Sequence, residues 1–147
     1  MRQRSMRHYA SVSPDAVSEA LTEALQGDAA DLVCAYLFGS VARGEDRPGS
    51  DVDVAVLLRD DPPRTLAGLH LDLADRLTAA LGGRKVDLVV LNRAPADLVH
   101  RVLRDGVLLL ELDRSARIRF EVRARNEYFD LLPYLREYRR GREGAGA

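Results

Sequence analysis

The spacing of apolar positions changes period along the chain, and each change marks an element. Val17, Leu21, Ala24 and Leu25 recur at helical spacing behind Ser13-Pro14-Asp15, where Ser13 can cap and Pro14 suits a first turn, so a helix is expected up to Gly27. Leu32 to Phe38 is a short apolar run ended by Gly39 and reads as a buried strand. From Asp51 the pattern alternates. Val52, Val54, Val56 and Leu58 share one face of a strand, and Asp51, Asp53, Ala55 and Leu57 share the other. Asp60-Asp61-Pro62-Pro63 ends that strand, and Leu66, Leu69, Leu73, Leu77 and Ala80 then predict a helix up to Gly82-Gly83. Lys85 to Leu91 supplies a third strand. A shorter helix starting at Asn92 or Ala94-Pro95 carries Leu98, Val99, Val102 and Leu103, and after the Asp105-Gly106 turn Val107 to Leu112 predicts a fourth strand. The last helix is expected from near Asp113. It would have Ile118, Val122 and Phe129 on one side and a seam of Tyr128, Leu131, Leu135 and Tyr138 running past Pro133, which should kink or restart it.

Strands alternating with helices give an α/β or α+β fold, a mixed sheet of about four strands flanked by helices and followed by a C-terminal helix. The 147 residues fit one domain, 1–147, with 1–12 and 141–147 as flexible ends. Cys34 has no second cysteine to pair with, no apolar run approaches a membrane span, and the Arg-bearing N-terminus lacks a signal peptide's apolar stretch, so a cytoplasmic protein is expected. The net charge of −1 hides a split: residues 11–113 hold 18 acids against 10 bases, and residues 114–147 hold nine Arg against five acids. A basic end suits either an acidic or nucleic-acid partner, or simply solvated helix faces.

The chemistry lies in Gly39-Ser40, ten residues, then Asp51-Val52-Asp53. A Gly-Ser turn after a strand lets backbone and hydroxyl approach phosphate oxygens, because Gly39 has no Cβ. The polar loop Arg43 to Ser50 can double back to set Asp51 beside Ser40. Asp51 and Asp53 point the same way, and their repulsion is relieved by a divalent cation such as Mg²⁺, which takes one or two carboxylates and fills its other positions with water and phosphate. A pair of such ions can clamp both ends of an in-line displacement. Asp87 is the one acid within the third strand, on the face of Val89 and Leu91. Metal ligation or proton abstraction explains a carboxylate there, unless it is an edge position paired with Lys85 or Arg84. His8, His70 and His100 are scattered and form no constellation.

These residues resemble the nucleotidyltransferase fold and, within it, the small stand-alone minimal nucleotidyltransferases, or MNT proteins. The signature Gly-Ser-x10-Asp-x-Asp is matched from Gly39 to Asp53 without departure, and Asp87 fits the family's third carboxylate. The resemblance implies that Gly39, Ser40 and Arg43 bind the triphosphate of ATP, that Asp51, Asp53 and Asp87 are catalytic, and that these three hold two Mg²⁺ ions. It also implies a HEPN-domain ribonuclease toxin, encoded nearby, as the partner. The chain would be its antitoxin and transfer AMP to one of its tyrosines, with no direct contact to nucleic acid or membrane. The segment Arg125 to Pro133 resembles the closing helix of such antitoxins. Two other readings remain: nucleotidyl transfer to a small molecule such as an aminoglycoside, and neutralisation of the partner by occlusion alone. The short stretch after the last strand favours an acceptor that brings its own surface.

Overall fold

The computed structural model describes residues 14–28, 30–60 and 67–145. Ser13, Ala29, residues 61–66 and both chain ends lie outside them. The first helix, α1, spans Pro14–Leu25, and it buries Val17, Leu21 and Leu25, the stripe expected of it. Strand β1 follows over Leu32–Phe38, with six of its seven residues buried. That near-continuous apolar run is explained by position: β1 lies inside the sheet and is covered on both faces.

A five-residue helix, α2 (Gly39–Arg43), leads to β2 (Val52–Leu58). The helix α3 (Ala67–Ala80) crosses over to β3 (Val86–Val90), which pairs parallel to β2 as a βαβ unit requires. A 3₁₀ turn at Leu91–Arg93 precedes α4 (Ala96–Asp105) and β4 (Val107–Glu111). The order across the sheet is β3-β2-β1-β4, with β1 antiparallel to both neighbours. The sheet is therefore mixed and four-stranded, as the element pattern predicts. Its second strand starts one residue later than expected, leaving Asp51 just ahead of it.

Alternation along β2 divides two cores. Val52, Val54 and Val56 pack with Leu21, Leu73 and Leu77 of α1 and α3. Ala55 and Leu57 face the other way, against Val99, Val102 and Phe120. Asp53 has the parity of Ala55 and Leu57, so it opens on the α4 side.

The C-terminal helix α5 spans Arg114–Ala145. It does not restart at Pro133; the stretch beside the proline is exposed, so water can satisfy the carbonyl of Phe129, which loses its donor. It continues past Gly141, where fraying is expected, to Ala145. And Ile118, Val122 and Phe129 do not face the core, being 42%, 50% and 63% exposed. The packed stripe is Ala116, Phe120 and Ala124, with Tyr128 stacked on His100 at 3.7 Å between ring centroids. Small residues there let the helix approach the sheet closely, which hydrophobicity alone does not reveal. Among the described residues, no helix is long and apolar enough to cross a membrane.

Candidate active site

Three chain segments meet at the Gly39 turn. Phe38 leaves β1 in an extended conformation, and Gly39 then takes φ +75°, a left-handed angle that costs glycine little. Its missing side chain is required twice over: a Cβ there would collide with the Asp53 carboxylate and come within 3.0 Å of its Cγ. Buried Val41 pins α2 to the core, and the helix closes with Gly44 N–H donating to Val41 O (3.1 Å) and Glu45 N–H to Ser40 O (2.9 Å).

Strand register brings up the carboxylates. Asp53 lies opposite Phe38 on one side and opposite Asp87 on the other. It is thus wedged between the phosphate-type turn and a second carboxylate. Its carboxyl is raised above the ordinary range, first by burial, then by the negative charges of Asp87 and Asp51, with Arg43 partly opposing them. Asp51 stands just outside, half exposed, with its carboxylate 3.8 Å from the Lys85 ammonium.

Asp87 is exposed rather than buried, because β3 is an edge strand. The edge explanation for this acid holds as to place but not as to pairing: Lys85 faces Asp51, and Arg84 binds Asp46. Arg43 is exposed and donates to Glu45 at 3.1 Å.

Gly39, Ser40, Arg43, Asp53 and Asp87 line one cavity of about 500 Å³. Asp51 is the predicted site residue that does not line it. The opposite wall comes from α4, where Leu98, Arg101 and Asp105 fall on one helical face beside Arg104. Arg104 donates to both oxygens of Asp105, at 3.0 and 2.9 Å, which lowers the carboxyl and raises the guanidinium. Sequence reasoning misses this basic wall. The i, i+3, i+7 spacing was available, but which cavity that face addresses depends on how α4 docks. Among the described residues, no three acidic, histidine or cysteine side chains close into a ligand cage of their own.

A mixed sheet whose first strand ends in a glycine-serine turn beside paired carboxylates defines a nucleotidyltransferase domain. The chain belongs to the polymerase beta nucleotidyltransferase family, whose model matches residues 19–115. Its relatives sharpen that. It is 40% identical over 72 residues to the protein adenylyltransferase MntA of Shewanella oneidensis, a match spanning 48% of each chain, so about half of that curated relative. A chain of a toxin–antitoxin complex with AMP-PNP is 28% identical, with a TM-score of 0.71 over 88% of this chain and 98% of that one. A chain of the complex of tri-AMPylated Shewanella oneidensis HEPN toxin with its MNT antitoxin is 25% identical, with a TM-score of 0.67 over 91% and 99%. The chain thus falls among the minimal nucleotidyltransferases, as its signature implies.

Proposed function

We propose that this protein is an Mg²⁺-dependent antitoxin that transfers AMP from ATP to a tyrosine hydroxyl of a HEPN ribonuclease toxin. The observation that carries the reading is the position of Asp53, between a glycine turn with no room for a Cβ and the carboxylate of Asp87. The relatives support the partner: one is a named adenylyltransferase, and another is a complex whose toxin is tri-AMPylated.

The donor set suits a hard divalent cation. Asp53 and Asp87 offer carboxylate oxygens across adjacent strands with Asp51 close by, and the raised carboxyl of Asp53 marks repulsion that a cation would relieve. The third cavity-lining acid, Asp105, is engaged by Arg104, so the site leaves coordination positions for phosphate and water. When bound, Mg²⁺ supplies charge neutralisation at the reacting phosphate.

Gly39 and Ser40 hold the triphosphate at the turn, and Arg43 adds positive charge beside it. Asp87, exposed at the sheet edge, is open to an incoming phenol and accepts its proton. The phenolate oxygen then forms a bond to the α-phosphorus, and the bond from that phosphorus to its bridging oxygen breaks, so pyrophosphate leaves with the electron pair. A phenol with a pKa near ~10 gives up its proton more readily than an aliphatic alcohol. Most of the rate comes from positioning and charge neutralisation.

The test is transfer of label from α-labelled ATP, with Mg²⁺, to the product of the adjacent gene. Label on a partner tyrosine, lost in Asp51→Asn with Asp53→Asn, is the expected result. A tight complex that neutralises the partner with no label transferred, and is indifferent to that double substitution, would replace this reading with occlusion.

A further inference from the structure

Among the described residues, Arg84 is the one buried charged side chain, at 9% exposure, and the mechanism above makes no use of it. A guanidinium withdrawn from water is costly unless its donors are matched. Arg84 directs both of its described side-chain hydrogen bonds into one segment: Nη2 donates to Asp46 Oδ2 at 2.9 Å and Nε donates to Ser50 O at 3.1 Å. Both acceptors belong to the loop 44–50 that joins Ser40 to Asp51.

Past its start, where Gly44 and Glu45 N–H donate to Val41 O and Ser40 O, that loop has little else to fix it. Residues 43–45 and 47–49 are exposed, and its internal bonds are local, Arg47 N–H to Ser50 Oγ and Ser50 N–H to Arg47 O. Arg84, by contrast, sits on rigid ground, between the close of α3, where Gly83 N–H donates to Thr78 O, and the start of β3. The next residue continues the grip: Lys85 O accepts Val52 N–H at 2.9 Å, and its ammonium faces Asp51. Two consecutive residues therefore hold three consecutive ones, Ser50, Asp51 and Val52, at the point where the loop delivers its carboxylates.

We propose that Arg84 is a positioning residue that clamps the 44–50 loop, so that the Gly39-Ser40 turn and Asp51-Asp53 address one nucleotide. The inference rests on the nucleotidyl-transfer reading. The loop buries little apolar surface, so releasing it disturbs the site more than the core. A misplacement of about 1 Å in such an arrangement costs up to a hundredfold in rate.

Arg84→Met and Asp46→Ala cut the same contact from opposite ends; Asp46 is on the loop, so its variant keeps the fold if Arg84→Met does not. Three measurements decide: hydrogen exchange of the peptide spanning 44–51, Mn²⁺ affinity, and transfer rate against Mg²⁺ concentration. The expected result is faster exchange confined to that peptide, weaker Mn²⁺ binding, and a transfer rate down roughly ten- to a hundredfold with a higher Mg²⁺ requirement. Combined, the two changes should cost little more than Arg84→Met alone, which already removes the contact to Asp46 along with that to Ser50 O. Unchanged loop exchange and Mn²⁺ affinity in the folded variants would overturn the proposal. If the unaltered protein labels no partner, the transfer reading fails, and exchange and Mn²⁺ binding still decide the role of Arg84.

Discussion

Replacing Gly39 with alanine separates the two demands made on that position. The first is backbone: φ +75° places an L-residue in the left-handed region, at a cost of about 1–2 kcal/mol. The second is space, since the new Cβ would overlap the Asp53 carboxylate and stand 3.3 Å from its Cβ. Gly44 provides the control. It has φ +70° and nothing within 4 Å of where a Cβ would go, so Gly44→Ala carries the strain without the collision. Both variants should therefore melt lower, Gly44→Ala by about 3–6 °C at roughly 3 °C per kcal/mol for a chain of this size. Only Gly39→Ala must also turn Asp53 aside or shift the turn, so its transfer rate should fall roughly a hundredfold and its Mn²⁺ affinity with it. Thermal melts, Mn²⁺ titration and labelled-AMP transfer on the three proteins make the comparison. Should Gly39→Ala transfer as well as Gly44→Ala, Asp53 and the turn do not form one site.

Three further outcomes are expected. Asp53 holds its proton to higher pH in the folded chain than in the unfolded one, so its own contribution to stability is fully present below the ordinary carboxylate range and is lost as pH rises through the raised value. Asp53→Asn should accordingly melt above the unaltered protein at pH 7–8 without divalent ions, the gap closing below about pH 4, while losing transfer; a lower melt at neutral pH would contradict the repulsion. Cys34 is fully buried, with its thiol pushed up to about 11, so alkylation at pH 8 should be slow until denaturant is added, as mass spectrometry of the labelled protein would reveal. Leu21→Ala, at a side chain with no exposure, should cost about 2.7–5 kcal/mol in denaturant unfolding, and a loss under 1 kcal/mol would mean that α1 does not seal the core.

Local period was enough to place the strands and most of the helices, because a side chain's face follows from its spacing whatever the element later packs against. The parity of Asp53 with Ala55 and Leu57, the turn at Gly39 and the stripe of α1 were legible for that reason. The stripe of α5 was not. Its sequence carries apolar residues on more than one side, and the sheet accepts Ala116, Phe120 and Ala124 because close approach favours small side chains. Asp87 was placed on the right strand with the edge position left open, and the strand order β3-β2-β1-β4 decided it, since which strands flank β3 depends on pairing far along the chain.

Taken alone, the sequence determined which residues could do chemistry: a glycine-serine turn, two carboxylates of one parity, and a third on another strand. What only the tertiary structure decided was which of them meet. The register sets Asp53 against Phe38 and Asp87, α4 contributes the arginine wall, and Arg84 reaches back over 34 residues to hold Ser50. Alternation and helical period are properties of neighbours along the chain. Pairing, docking and burial depend on residues far apart in it, and no local pattern encodes them.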